Sequence, residues 1–120
     1  MTSQPAAACT EVPRAEQIAR LNDLLRKTGT GGTVVITRGV KHLTEFDGAT
    51  LAEAIAAYDE FDAEGDPHGE RDFGCTTLFG ADAIWKIDYF SDGTLTFGSD
   101  DPADPAISTR VLTIMLAPEW

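Results

Sequence analysis

Apolar residues first settle into a regular spacing at Ile18, Leu21, Leu24 and Leu25, a three- and four-residue recurrence that predicts an amphipathic helix. Pro13 suits its first position, Arg26 and Lys27 stand where the helix dipole favours cations, and Gly29 ends it. The β-branched run Thr33-Val34-Val35-Ile36-Thr37, bounded by glycines, predicts a short buried strand followed by a loop through Gly39. A second helix is predicted over residues 49–61, with Leu51, Ile55, Tyr58 and Phe61 on one stripe and Asp47 as its N-cap. Alternation then replaces helical spacing. Strands over 72–79, 83–90 and 94–98, joined by Gly80-Ala81 and Asp92-Gly93 turns, read as an antiparallel meander. After a proline-rich loop over 99–106, the apolar run 109–116 reads either as a last strand or as a buried helix.

The fold class expected from this pattern is α+β: two helices packed on a mostly antiparallel sheet with a C-terminal β-meander. Residues 1–12 are small and polar, and predict a flexible N-terminal tail. Residues 13–120 predict a single domain, since a chain of 120 residues buries one modest core. Two-residue turns would place Phe73, Cys75, Ile84, Phe90, Leu95 and Phe97 on one sheet face together with Lys86 and Asp88. That face is the predicted core, so Lys86 and Asp88 must pair or lie near an edge, because an unpaired buried charge is very costly. A structural ion pair is the expected reading and a catalytic Lys and Asp the sharper one. Trp85, Ile87 and Tyr89 take the opposite face. There Trp85 and Tyr89 either form a flat aromatic contact surface or are covered by the two helices.

Composition changes this picture little: 42% hydrophobic and 24% charged residues are ordinary for a globular chain and unlike a disordered one. The N-terminus lacks the basic start and apolar stretch of a signal peptide, and no run approaches a membrane span, so the expectation is a cytoplasmic protein without membrane contact. Cys9 and Cys75 are too few for a disulfide framework and lack C-x-x-C spacing, which predicts reduced thiols and no structural zinc. No cofactor and no metal are expected.

Charge changes it more. The net charge is −11, from nine basic and 20 acidic residues. Through Lys41 six basic residues stand against three acidic ones, a surplus of +3, while the remainder sets three against 17, a net −14. Such a surface opposes direct binding to nucleic acid or anionic lipid and suits a basic protein or nucleoprotein complex, although acidity also confers plain solubility. Asp59, Glu60, Asp62 and Glu64 close the second predicted helix in acid, against the dipole, at a cost of a few tenths to about 1 kcal/mol each. Local conflicts of this kind gather at functional sites.

The stretch Asp66-Pro67-His68-Gly69-Glu70-Arg71-Asp72 joins a rigid turn to an imidazole and three carboxylates, the material of acid–base chemistry or metal binding. Its catalytic candidates are His68 and Asp72, with Lys86 and Asp88 from the sheet. The other motifs tested fail: residues 59–70 put Phe61 and Ala63 where an EF-hand needs oxygen ligands, and Gly29 to Gly32 lacks the P-loop lysine followed by Ser or Thr. G-x-S-x-G and a dinucleotide fingerprint are also missing, which leans against an enzyme without excluding one.

Four motifs in order carry a resemblance: Asp66-Pro67-His68-Gly69-Glu70 with Asp72-Phe73-Gly74; Trp85-Lys86-Ile87-Asp88-Tyr89; Asp101-Pro102-Ala103-Asp104-Pro105; and Arg110-Val111-Leu112-Thr113-Ile114-Met115-Leu116-Ala117. Together they resemble the bacterial family called domain of unknown function 3768. Arg71 departs from the histidine expected there, which weakens a two-histidine metal site. The resemblance brings no activity. It implies accessory proteins of plasmids and other mobile elements, a setting that suits small proteins blocking host machinery.

The expected function is a small acidic, non-catalytic binding protein that engages a basic partner through Asp59, Glu60, Asp62, Glu64, Asp66 and Glu70, with Trp85 and Tyr89 as anchors. Its narrower form is a nucleic-acid-mimicking inhibitor of a host defence complex, of anti-restriction or anti-CRISPR type. The alternative is a small hydrolase or transferase using His68, Asp72, Lys86 and Asp88. Monomer and homodimer both stay open.

Overall fold

The structure, a computed structural model, describes residues 12–91 and 98–120. The predicted tail therefore lies outside the described residues, except for Val12, and so do the Asp92-Gly93 turn and most of the strand predicted at 94–98. Helix α1 spans Arg14–Thr28, starting from Pro13 and closing at Gly29 with φ of 76°, a left-handed cap that side chains other than glycine adopt at a cost. Strand β1 (Thr33–Ile36) follows, then a short helix α2 (Arg38–Lys41) where the sequence pattern suggested only loop. Helix α3 spans Gly48–Ala57, capped as predicted by Asp47, whose Oδ2 accepts the Thr50 amide at 2.9 Å. Strands β2 (Phe73–Leu78), β3 (Ala81–Phe90) and β4 (Thr109–Leu116) complete the domain with a 3₁₀ turn at Ala117–Glu119. Of the two readings of 109–116, strand is the correct one.

The sheet order is β1-β4-β3-β2, with β1 parallel to β4 and the other pairs antiparallel. The architecture is α+β as expected, but the sheet is mixed. The β2–β3 turn is Phe79-Gly80 rather than Gly80-Ala81; both residues have positive φ, 51° and 80°, which matches the right-handed twist of the flanking strands. This shift slides the pairing by two residues, so side chains keep their predicted faces.

What changes is which face is core. Ala83, Trp85 and Ile87 are buried, opposite Leu116, Ile114 and Leu112 of β4, and the helices contribute Leu25, Leu51 and Ile55 to the same cluster. Lys86 and Asp88 lie on the other face, part-exposed, with Cys75 exposed beside them and Val111 and Met115 buried, and pair with each other at 2.5 Å. The ion pair stands; the buried setting expected for it does not. β4 supplies the reason, because its apolar residues line up with Trp85 once it inserts between β1 and β3. β1 is correspondingly an edge strand, with Val34 and Val35 exposed rather than buried. Along α1 the buried positions are Ile18, Ala19, Asn22, Leu25 and Arg26, whereas Leu24 is exposed. Two polar residues thus occupy the core stripe of this helix.

Candidate protein-binding site

Arg26 organises the end of α3. Its Nη1 donates to the carbonyls of Ile55 (2.8 Å), Ala56 (3.0 Å) and Tyr58 (2.9 Å) at the helix C-terminus, where Ile55 also accepts the Tyr58 amide at 3.4 Å. Nη2 donates to Asp23 Oδ1 at 3.2 Å, and the guanidinium packs over the Phe61 and Trp85 rings at 5.4 and 5.5 Å from their centroids. Helix α3 therefore ends at Ala57, not at Phe61, and a buried cation rather than solvent meets its negative end. Asp59, Glu60, Asp62 and Glu64 stand beyond the helix in an exposed loop, so the predicted clash with the dipole does not arise.

Tyr58, Phe61 and Trp85 pack edge-to-face, with centroids 5.1 to 6.0 Å apart. Trp85 is fully buried, which removes it as a surface anchor, and its Nε1 has no hydrogen-bond partner. Gly74 faces it across the β2–β3 pair. Beside β2 lies a groove of about 360 Å³ lined by Tyr58, Phe61, Phe73, Gly74 and Cys75 together with Glu60, Asp62 and Glu64 of the loop. Among the described residues, none of these three acids nor Asp59 forms an ion pair.

A family model described as "Protein of unknown function (DUF3768)" matches residues 36–119, more than half of the chain. The chain belongs to the DUF3768 family. No curated protein and no solved structure matches it. In this DUF3768 chain the matched stretch includes α3, the acidic loop, the groove and strands β2 to β4.

The remaining predicted site residues are engaged in holding the fold. Asp66 closes a turn, its Oδ1 accepting the amides of Glu70 and Arg71, both at 3.1 Å. Arg71, the departure from the expected histidine, adopts φ of 53° and reaches across to α1, where it binds Asp23 (2.8 Å) and Glu16 (3.1 Å). Both carboxylates hold Arg71 protonated beyond its ordinary range. Burial alone would raise Asp23, but hydrogen bonds from Arg71 and Arg26 outweigh it and leave its carboxyl below the usual range. Tyr89 is half-buried rather than a free anchor; its hydroxyl donates to Glu70 Oε1 at 3.0 Å and accepts from Asn22 at 2.8 Å. Burial keeps this phenol protonated far above its ordinary value. Arg110, buried beside it, donates to Asn22 Oδ1 at 2.8 Å and to the Pro102 carbonyl. Asn22, Arg26 and Arg110 are the central polar residues that sequence reasoning missed. Polar positions at 22 and 26 interrupting an apolar stripe were the available signal.

The catalytic candidates do not form one cluster. Asp72 lies on the helix side, near His68, Glu70 and Tyr89, while Lys86 and Asp88 occupy the opposite face, so the sheet separates the two halves. His68 is exposed. Among the described residues, no group of three His, Cys, Asp or Glu side chains is placed to hold a metal.

Asp72 titrates against the fold. Burial, and next the neighbouring Glu70 carboxylate, raise its carboxyl above the usual range. The unfolded chain then ionises more readily than the folded one, and stability falls as pH rises through the unfolded and then the folded value. Asp72→Asn is expected to raise the melting temperature at neutral pH. The difference from the wild type should vanish below about pH 3, where both states are protonated; a gap unchanged with pH would show that packing, not charge, is responsible.

Proposed function

We propose that this protein is a non-catalytic binding module that engages a basic protein partner through the acidic loop after α3. The supporting observation is the sorting of its acids. Glu16, Asp23, Asp66 and Glu70 are tied to arginines, backbone amides or Tyr89, whereas Asp59, Glu60, Asp62 and Glu64 stand exposed with no ion pair among the described residues, only Asp62 being engaged, by the Glu64 and Gly65 amides, beside a groove with an aromatic lining. Separation of the acid–base candidates across the sheet favours this reading over a hydrolase or transferase. The narrower form, a nucleic-acid mimic that blocks a host defence complex, draws on the −14 carried after Lys41.

The test is capture of partners from a bacterial lysate on immobilised wild type and on a variant carrying Asp59→Asn, Glu60→Gln, Asp62→Asn and Glu64→Gln. These side chains are exposed, and asparagine at 62 keeps an oxygen to accept the Glu64 and Gly65 amides, so the variant should fold as the wild type does. Partner recovery should fall by about tenfold or more between roughly 50 and 500 mM salt, and should be lost in the variant. Recovery that ignores both changes would sink the proposal. For the narrower form, added duplex DNA should displace the captured partner.

A further inference from the structure

Among the described residues strand β2 ends the sheet and has one neighbour, β3. The Ile87 amide donates to the Asp72 carbonyl at 2.8 Å, which fixes the phase of the ladder: Gly74–Trp85, Thr76–Ala83 and Leu78–Ala81 are the hydrogen-bonded pairs that follow. The amides and carbonyls of Phe73, Cys75 and Thr77 consequently point away from the sheet. The Tyr58 hydroxyl takes the Cys75 amide, so at residue 75 an aromatic side chain stands where a strand would pair. Gly74 is buried, and its missing side chain lets the Trp85 and Tyr58 rings close against the strand. The acidic loop contributes Glu60, Asp62 and Glu64 to the same groove. Backbone groups without a strand partner, an aromatic lining and carboxylates without ion pairs therefore lie side by side. The first of these selects an extended chain, and the other two select cationic side chains on it.

The geometry points to strand addition: an extended Lys- or Arg-bearing segment of the partner pairs with β2 and sets its cationic side chains over Tyr58 and Phe61 against the acidic loop. This deepens the proposed function and rests on it. Main-chain bonds to residues 73 and 77, and to residue 75 once the partner's backbone displaces the Tyr58 hydroxyl, supply affinity that is indifferent to sequence. The groove supplies the preference for a basic residue at alternate positions, since side chains of an added strand face the helix side every second residue. Cys75, exposed on the same strand, serves as a local reporter.

A fluorescein-labelled heptapeptide alternating arginine and valine is titrated into the full chain carrying Cys9→Ser, alongside the same peptide N-methylated at alternate backbone amides. Anisotropy reports binding, and the rate of Cys75 alkylation reports its place. Strand addition predicts binding by the first peptide, slower Cys75 alkylation in its presence, and at least about tenfold weaker binding after N-methylation, because pairing bonds are lost while charge is kept. Glu60→Gln with Asp62→Asn and Glu64→Gln should weaken the first peptide by a similar factor. Equal binding of both peptides, lost with the acids neutralised, would overturn strand addition while leaving the acidic-loop reading intact. Failure of both peptides at low salt would overturn that reading too. A concentration-dependent dimer that excludes the peptide would assign the edge to a second copy and equally overturn the inference.

Discussion

Replacing Arg26 by methionine is expected to lower the unfolding free energy by about 3–5 kcal/mol, a large share of the stability of a domain this size. Methionine follows a similar path through the core, so the loss isolates the guanidinium. The Ala56 and Tyr58 carbonyls lose their donor, that of Ile55 keeps only the long bond from the Tyr58 amide, Asp23 loses one of its two arginines, and the Phe61 and Trp85 rings lose a cation. Each buried acceptor left bare costs about 1–3 kcal/mol, although the exposed side of Tyr58 allows water to recover part of it. Arg26→Lys should recover little, because one ammonium cannot serve three carbonyls and Asp23 from a single planar fork. Urea denaturation followed by far-ultraviolet dichroism measures both variants. A methionine variant within about 1 kcal/mol of the wild type would mean that water caps α3 as well as Arg26 does.

Gly74→Ala should rank second. A Cβ at this position would lie 2.4 Å from Trp85 Nε1, 2.7 Å from Trp85 Cε2 and 2.7 Å from Tyr58 Cζ. Neither ring can retreat easily, since both belong to the edge-to-face group with Phe61. Overpacking of this kind costs typically about 1–3 kcal/mol, and here the upper end is expected. The cause is checked by a double-mutant cycle with Trp85→Leu, which removes the struck atoms at its own cost. The two changes should be less than additive by about 1 kcal/mol or more. Strict additivity would place the cost of alanine in the backbone instead.

Local chemistry was legible along the chain because its causes are local. Gly29 stops α1, Asp47 caps α3, and the alternation through Trp85 marks a strand, each decided by neighbours a few residues away. The choice of core face was not legible, because it depends on β4 entering between β1 and β3, a pairing of residues far apart in sequence. Lys86 and Asp88 were therefore placed on the core face, while Trp85 stayed open between a contact surface and cover by the helices, and cover is the arrangement found. Arg26 was misread for a different reason. A cation in the last turn of α1 satisfies the dipole of its own helix, and nothing local shows that it also reaches the end of α3. The acids at 59–64 were singled out as a conflict at a helix end, but they lie past that end. Asp66 and Glu70 belonged to the same charge run, yet backbone amides and Tyr89 already claim them.

The order of the sheet has a consequence for biosynthesis. The strand that bridges β1 and β3 is formed by residues 109–116, so Thr33 waits for Val111 before it has a partner in the sheet. A nascent chain that has emerged only as far as β3 holds the β2–β3 hairpin, while β1 remains without its sheet partner. Assembly of the domain is deferred until β4 clears the ribosome, and the sequence distance between paired residues slows it further. A frameshift or stop codon before residue 109 would then release a chain with β1 and β3 both lacking a neighbour, prone to association through their open edges rather than simply shorter.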